Sequence, residues 1–112
     1  MKKLILLVFI LIGTTLSAQT TQYSDDNGDG VIEYCLFAEN GKKIEEGYYY
    51  NGQMYGTWRS YHKNGNLQTI AKFKDGVKHG KWLFYNENGN LIFEVTYERG
   101  QKILATEHRY LN

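Results

Sequence analysis

The run Asp25-Asp26-Asn27-Gly28-Asp29-Gly30-Val31-Ile32-Glu33 is where this 112-residue chain comes closest to chemistry. Asp25, Asn27 and Asp29 stand at positions 1, 3 and 5 of an EF-hand-like cation loop, with Gly30 at position 6 and Glu33 at position 9. Oxygen ligands at that spacing around a glycine turn suit a hard cation such as Ca2+. The ligand set is incomplete: position 12 calls for a bidentate Glu and holds Leu36. The flanks read as loop and strand and not as paired helices. Asp25, Asn27, Asp29 and Glu33 are therefore a weak candidate cation site, set against the plainer reading of a polar linker rich in turn formers.

The remaining reactive side chains are scattered. His62, His79 and His108 have no second His or Cys at ligand spacing. His79 precedes Gly80 in an expected turn, where exposed polar residues are usual. No Ser/His/Asp or Cys/His signature is present. No catalytic residue, metal site or cofactor is assigned, and the chain is read as a non-enzyme. Cys35 is the single cysteine, so an internal disulfide is excluded. A lone cysteine reads first as a small buried hydrophobe, with an intermolecular disulfide as the alternative.

The first 18 residues have the layout of a secretory signal: Lys2 and Lys3, an apolar run from Leu4 to Ile12, then small residues to Ala18. The run is short for a membrane span, which needs about 20 apolar residues. An uncleaved N-terminal anchor is the alternative. Cleavage after Ala18 would remove two lysines and no acid, leaving eleven basic and twelve acidic side chains, a formal charge of −1. That balance offers no electrostatic footprint for nucleic acid. The basic stretch Lys72, Lys74, Lys78 and Lys81 reads as a solvated strand and turn.

The elements that would position any binding residues follow from a repeat. Gly56-Thr-Trp58-Arg-Ser-Tyr61-His-Lys-Asn64-Gly65-Asn-Leu67 returns 24 residues later with Gly80, Trp82, Tyr85, Asn88, Gly89 and Leu91. A worn earlier copy places Tyr34, Phe37, Asn40 and Gly41 in the same register. A second glycine follows at Gly52, Gly76 and Gly100. Asn-Gly between residues of high strand propensity predicts a hairpin, with a two-residue type I′ turn at Asn64-Gly65 and at Asn88-Gly89. The second glycine predicts the turn joining one hairpin to the next. Leu91, Phe93, Val95 and Tyr97 alternate as strand residues do. The absence of proline suits continuous ladder pairing. Trp58 and Tyr61 lie three apart. A bulge between them, or aromatic contacts on both faces of the sheet, would each accommodate that spacing. The consecutive Tyr48, Tyr49 and Tyr50 predict at least one water-facing ring, with cross-strand packing the leading role.

The pattern G-x-W-x-x-Y-x-x-N-G-x-L resembles the bacterial variant of the MORN repeat (membrane occupation and recognition nexus), over residues 34–100. The resemblance implies an open, single-file array of antiparallel β-hairpins. It implies a surface for protein contacts or, in some members, for lipid head groups, and no catalysis. The expected organisation is an N-terminal signal helix over 1–18, a polar linker over 19–33, and repeats over 34–57, 58–81 and 82–105 with a degraded tail to 112. The expected function is an exported module that binds a protein at the cell envelope, in the periplasm, the outer envelope or secreted. Lipid head-group association is the alternative. A Ca2+-dependent module or an antitoxin-like protein is a weaker one.

Overall fold

The computed structural model describes residues 5–12, 17–25 and 27–109, with side chains from residue 19 onward. It is all-β. The strands are β1 (Ile5–Ile12), β2 (Ser17–Ser24), β3 (Val31–Phe37), β4 (Lys43–Tyr50), β5 (Gln53–Tyr61), β6 (Leu67–Lys74), β7 (Val77–Lys78), β8 (Gly80–Tyr85), β9 (Leu91–Glu98) and β10 (Gln101–Glu107). They form one antiparallel sheet whose strand order follows the chain, with β7 and β8 both paired to β6. Such an order needs only tight hairpins and no crossover. The 24-residue period is visible as hairpins β3–β4, β5–β6 and β8–β9.

Both kinds of turn are present, but their geometries are exchanged relative to expectation. At Asn64-Gly65 the loop has three residues. Gly65 N donates to His62 O at 2.9 Å and His62 N donates to Asn66 O at 2.8 Å. Gly65 has φ of 90° while Asn64 stays at negative φ. This is a three-residue loop closed by a left-handed glycine bulge, not a type I′ turn. The same bonds recur at Gly89 and Gly41. The two-residue loops with positive φ at both positions are instead the connections between hairpins: Asn51-Gly52 (51° and 75°), Asp75-Gly76 and Arg99-Gly100. Lys63 supplies the residue that lengthens the first loop, and the register Tyr61↔Leu67 fixes it. A Cβ at Gly65 or Gly89 would meet nothing within 4 Å, so only backbone strain opposes it. Gly65→Ala and Gly89→Ala are each expected to cost about 1 kcal/mol, read from the shift in the denaturant midpoint. His79→Ala should stay within about 0.5 kcal/mol.

The N-terminus differs from expectation in two ways. Ile5–Ile12 is not a helix: it is β1, paired along its length with β2. β-Branched Ile5, Val8, Ile10 and Ile12 favour the extended chain, and β2 offers an unpaired edge that another strand satisfies. The segment read as a linker over 19–33 contains most of β2 and the start of β3, joined by a short turn around Asn27–Gly30. The sheet therefore extends back by two strands, β2 and β1, beyond the repeats. Tyr23 lies opposite Tyr34, one period before Gly47.

A single sheet buries little. Among the described residues Thr21, Cys35, Gly47, Trp58 and Ala71 are the buried ones, and no large side chain is fully buried. What holds the sheet together, besides its ladder hydrogen bonds, is the row of rings on one face.

Candidate functional site

Trp58 is aimed by an irregularity in the strand pairing. Glu46 pairs with Arg59 and Tyr48 with Tyr55, so Gly47 alone faces Gly56, Thr57 and Trp58. Gly56 takes φ of 69° inside this wide bulge. The bulge folds the indole back across the sheet, where its Nε1–H donates to Tyr48 O at 3.1 Å. Only glycine fits beneath it: a Cβ on Gly47 would lie 2.0 Å from the indole Cδ2. One period on, Gly80 has φ of 67° and Trp82 Nε1 donates to Lys72 O at 3.1 Å. There the position matching Gly47 is Ala71, and Trp82 is only half-buried whereas Trp58 is 4% exposed.

The rings form a continuous ladder on this face. Centroids are 5.4 Å apart for Tyr23 and Tyr34, 5.3 Å for Tyr34 and Trp58, and 5.1 Å for Tyr49 and Trp58. Phe73 bridges the two tryptophans, at 6.2 Å from Trp58 and 5.2 Å from Trp82, and Tyr97 ends the row 5.1 Å from Trp82. Tilted and edge-on ring pairs at these distances add roughly 0.5–1.5 kcal/mol each beyond area burial. Burial, then the Glu45 carboxylate and the rings of Tyr49 and Tyr23, push the Tyr34 phenol up to about 12. Lys78 Nζ caps the far end, about equally distant from Trp82 (5.1 Å) and Tyr97 (5.0 Å), a cation over two ring faces.

Tyr61 belongs to the opposite face, so aromatic contacts on both faces account for the three-residue spacing. Its hydroxyl donates to Glu46 Oε1 at 2.6 Å, and Lys43 Nζ binds Glu46 Oε2 at 2.7 Å. Burial alone would raise Glu46, but these two hydrogen bonds and the Lys43 charge hold it below the ordinary carboxylate range. Glu45, on the ladder face, is raised by burial. The two acids have opposite pH signatures. Glu46 contributes stability above its unfolded value, lost as pH falls through its lowered folded value. Glu45 contributes stability below its unfolded value, lost as pH rises through its raised folded value. Glu46→Gln is therefore expected to lower the neutral-pH Tm and Glu45→Gln to raise it. Thermal melts of both variants from acid to neutral pH check the two signs.

The Asn-Gly loops also bind one another. His62 Nε2 donates to Tyr85 O at 2.8 Å, while Asn64 Nδ2 and Asn66 Nδ2 donate to Glu87 O at 2.9 and 2.8 Å. These residues clamp the second unit's turn to the third's. Leu67 and Leu91 lie opposite Tyr61 and Tyr85, half-buried, and Asn88 and Gly89 complete the last loop. Of the twelve residues that define the repeat, Gly56, Gly65, Gly80 and Gly89 take positive φ, and Trp58 and Trp82 stand in the ring ladder.

The candidate cation residues do not converge. Asp25 Oδ1 accepts from Gly28 N at 2.8 Å and Asp29 Oδ1 from Val31 N at 3.0 Å, each closing its own turn. Asn27 is exposed in that turn and Glu33 sits on β3, paired with Ser24 and Tyr48. No group of three acidic, His or Cys side chains that could hold a metal occurs among the described residues. Burial pushes the Cys35 thiol up, only partly offset by Lys43, which disfavours the thiolate form.

What stands free is a tyrosine cluster. Tyr49 enters the ladder, and its neighbours Tyr48 (38% exposed) and Tyr50 (44%) turn to the other face. Tyr55 (46% exposed) joins them, paired across the ladder with Tyr48 and with its ring 5.8 Å from that of Tyr50. Tyr55 escaped the sequence reading because it belongs to the next strand, and only the two-residue turn at Asn51-Gly52 brings it alongside. Gly47 escaped it as well; comparison with Ala71 and Val95 at the same repeat position was the available signal.

Among families of known proteins, the model described as MORN repeat variant matches residues 54–75 and 78–99. Each match spans one hairpin, β5–β6 and then β7 through β9. No curated protein and no solved structure matches the chain.

Proposed function

Because residues 54–99 are two adjacent MORN repeats of the variant class, we propose that this chain is an exported, non-catalytic module that binds another protein at the cell envelope. MORN repeats are in general protein or membrane interaction modules and are typically non-catalytic. The observation that carries the reading is the cluster of Tyr48, Tyr50 and Tyr55. Three part-exposed rings on a rigid hairpin present large contact area at low entropic cost, and tyrosine is enriched at interface hot spots. Export rests on the Lys2–Ala18 pattern. In the mature protein the N-terminus would lie near Gln19.

Affinity capture from envelope fractions tests the reading. The wild-type chain should retain one protein partner, and Tyr50→Ala with Tyr55→Ala should lose it while the melting temperature holds within a few degrees. N-terminal sequencing should begin near Gln19; an intact Met1 on cytoplasmic material would overturn the export reading. Flotation with anionic vesicles, reversed by salt, would replace the protein partner by a lipid surface.

A further inference from the structure

We propose that the edge of β10 docks a second copy of this chain, strand to strand and antiparallel, about a two-fold axis at Ala105. β10 pairs on one side only, with β9, and every one of its residues is exposed. Ile103 and Leu104 are 57% and 61% exposed, the highest values among the large hydrophobic residues in the described part of the chain. Such an edge is a template for another strand.

The occupant is identified by charge. Lys102 lies opposite Tyr97, Ile103 is bulged out, and Leu104 to Glu107 lie opposite Thr96 to Phe93 in turn. The bulge brings Lys102 and Glu107 onto the same face of the sheet, four ladder positions apart with Ala105 midway. Set against a second β10 in the antiparallel sense, Ala105 meets Ala105, Leu104 meets Thr106, and Lys102 meets Glu107. The two-fold makes that last pair twice. Opposite charges directly across an antiparallel ladder are favourable, and like charges are not. Moving the axis one residue toward the C-terminus sets Lys102 against Arg109; moving it the other way sets Lys102 against Ala105. Only the axis at Ala105 satisfies both charges.

A lysine and a bulge on an edge strand ordinarily keep other strands away. Here the same strand carries the acid that answers the lysine, so the edge rejects strangers and accepts its own copy. Glu107 is available for the exchange: its contact with the Arg109 guanidinium is 3.6 Å long, between side chains 52% and 83% exposed, and such pairs contribute little in water. The opposite end of the sheet has no such code, since neither Ile5–Ile12 at its edge nor Ser17–Ser24 beside it contains a charged residue.

Sedimentation velocity of the full chain over the micromolar to millimolar range tests this. The wild type should pass from monomer to dimer. Lys102→Glu and Glu107→Lys should each weaken the dimer by about tenfold or more, since each replaces two attractions with two repulsions. The double charge swap should restore it. A wild type that stays monomeric throughout, or single variants that associate as tightly as wild type, would overturn the proposal. The register has its own readout. Ala105→Cys should oxidise to a covalent dimer, because opposed residues of an antiparallel pair lie within disulfide range. Failure to cross-link, or a bond that maps to Cys35, would sink the assigned axis.

Discussion

Trp58→Ala is expected to remove most of the stability of the sheet. The indole is 4% exposed and touches Tyr34, Tyr49 and Phe73, and truncating a buried Trp costs roughly 3–5 kcal/mol. A domain of this size has about 5–15 kcal/mol in hand, and a single-layer sheet with no fully buried large side chain among the described residues belongs near the lower end. Trp82→Ala should cost distinctly less, because that ring is half-buried. Denaturation curves on the three proteins give the order directly. If both variants keep wild-type stability and lose partner binding, the ladder is the recognition surface and the sheet is held together by its other face.

Gly47→Ala is the second large effect, and it comes from adding an atom. The new Cβ would stand 2.0 to 2.5 Å from three carbons of the Trp58 ring, and a ring system locked by its own hydrogen bond to Tyr48 O cannot yield by a small rotation. The indole must lift off the sheet. Overpacking of this kind costs about 1–3 kcal/mol, and Gly47→Val should cost more. The expected signature is spectroscopic as well as thermodynamic: Trp58 emission should shift to the red as the ring meets water. Ala71→Gly is the converse experiment. It lets Trp82 settle toward the sheet and should shift its emission to the blue, whatever the added backbone freedom does to stability.

The repeat, the hairpins and the glycine connections were legible because each is written in local chemistry. Trp58 and Trp82 recur in register, and Gly52, Gly76 and Gly100 sit where a chain reversal needs positive φ. The turn types were not legible. Lys63-Asn64-Gly65 is compatible with a two-residue loop and with a three-residue loop ending in a left-handed glycine. The choice between them belongs to the pairing of Tyr61 with Leu67, a property of the assembled ladder. β2 went unread for a related reason. Gln19, Thr20, Gln22 and Ser24 have the composition of a linker, and Tyr23, its ring tilted against that of Tyr34, is the one aromatic that the strand brings to the array. The helix expected at the N-terminus came from the signal layout of Lys2–Ala18, whose apolar run does not by itself distinguish a helix from a strand once a sheet edge is beside it. Of the contact surface, Tyr48 and Tyr50 were visible in sequence, and Tyr55 became a member only through the turn.

The strand order that follows the chain has a consequence for how the molecule assembles. Even the widest ladder pairs, Ile5 with Ser24 and Val31 with Tyr50, are closed within a single hairpin, so no step has to bring distant parts of the chain together. The loop-closure entropy that makes most β-proteins slow folders is therefore small here. Growth can begin at any hairpin and proceed by adding neighbours, as in a one-dimensional chain of coupled units. Loss of structure runs the same way in reverse. In the monomer, amide exchange should be fastest along exposed β10 and slowest around Trp58, forming a gradient of protection in place of a single cooperative value. A change at the centre of the array divides it into two short stacks, whereas a change at the end only shortens it.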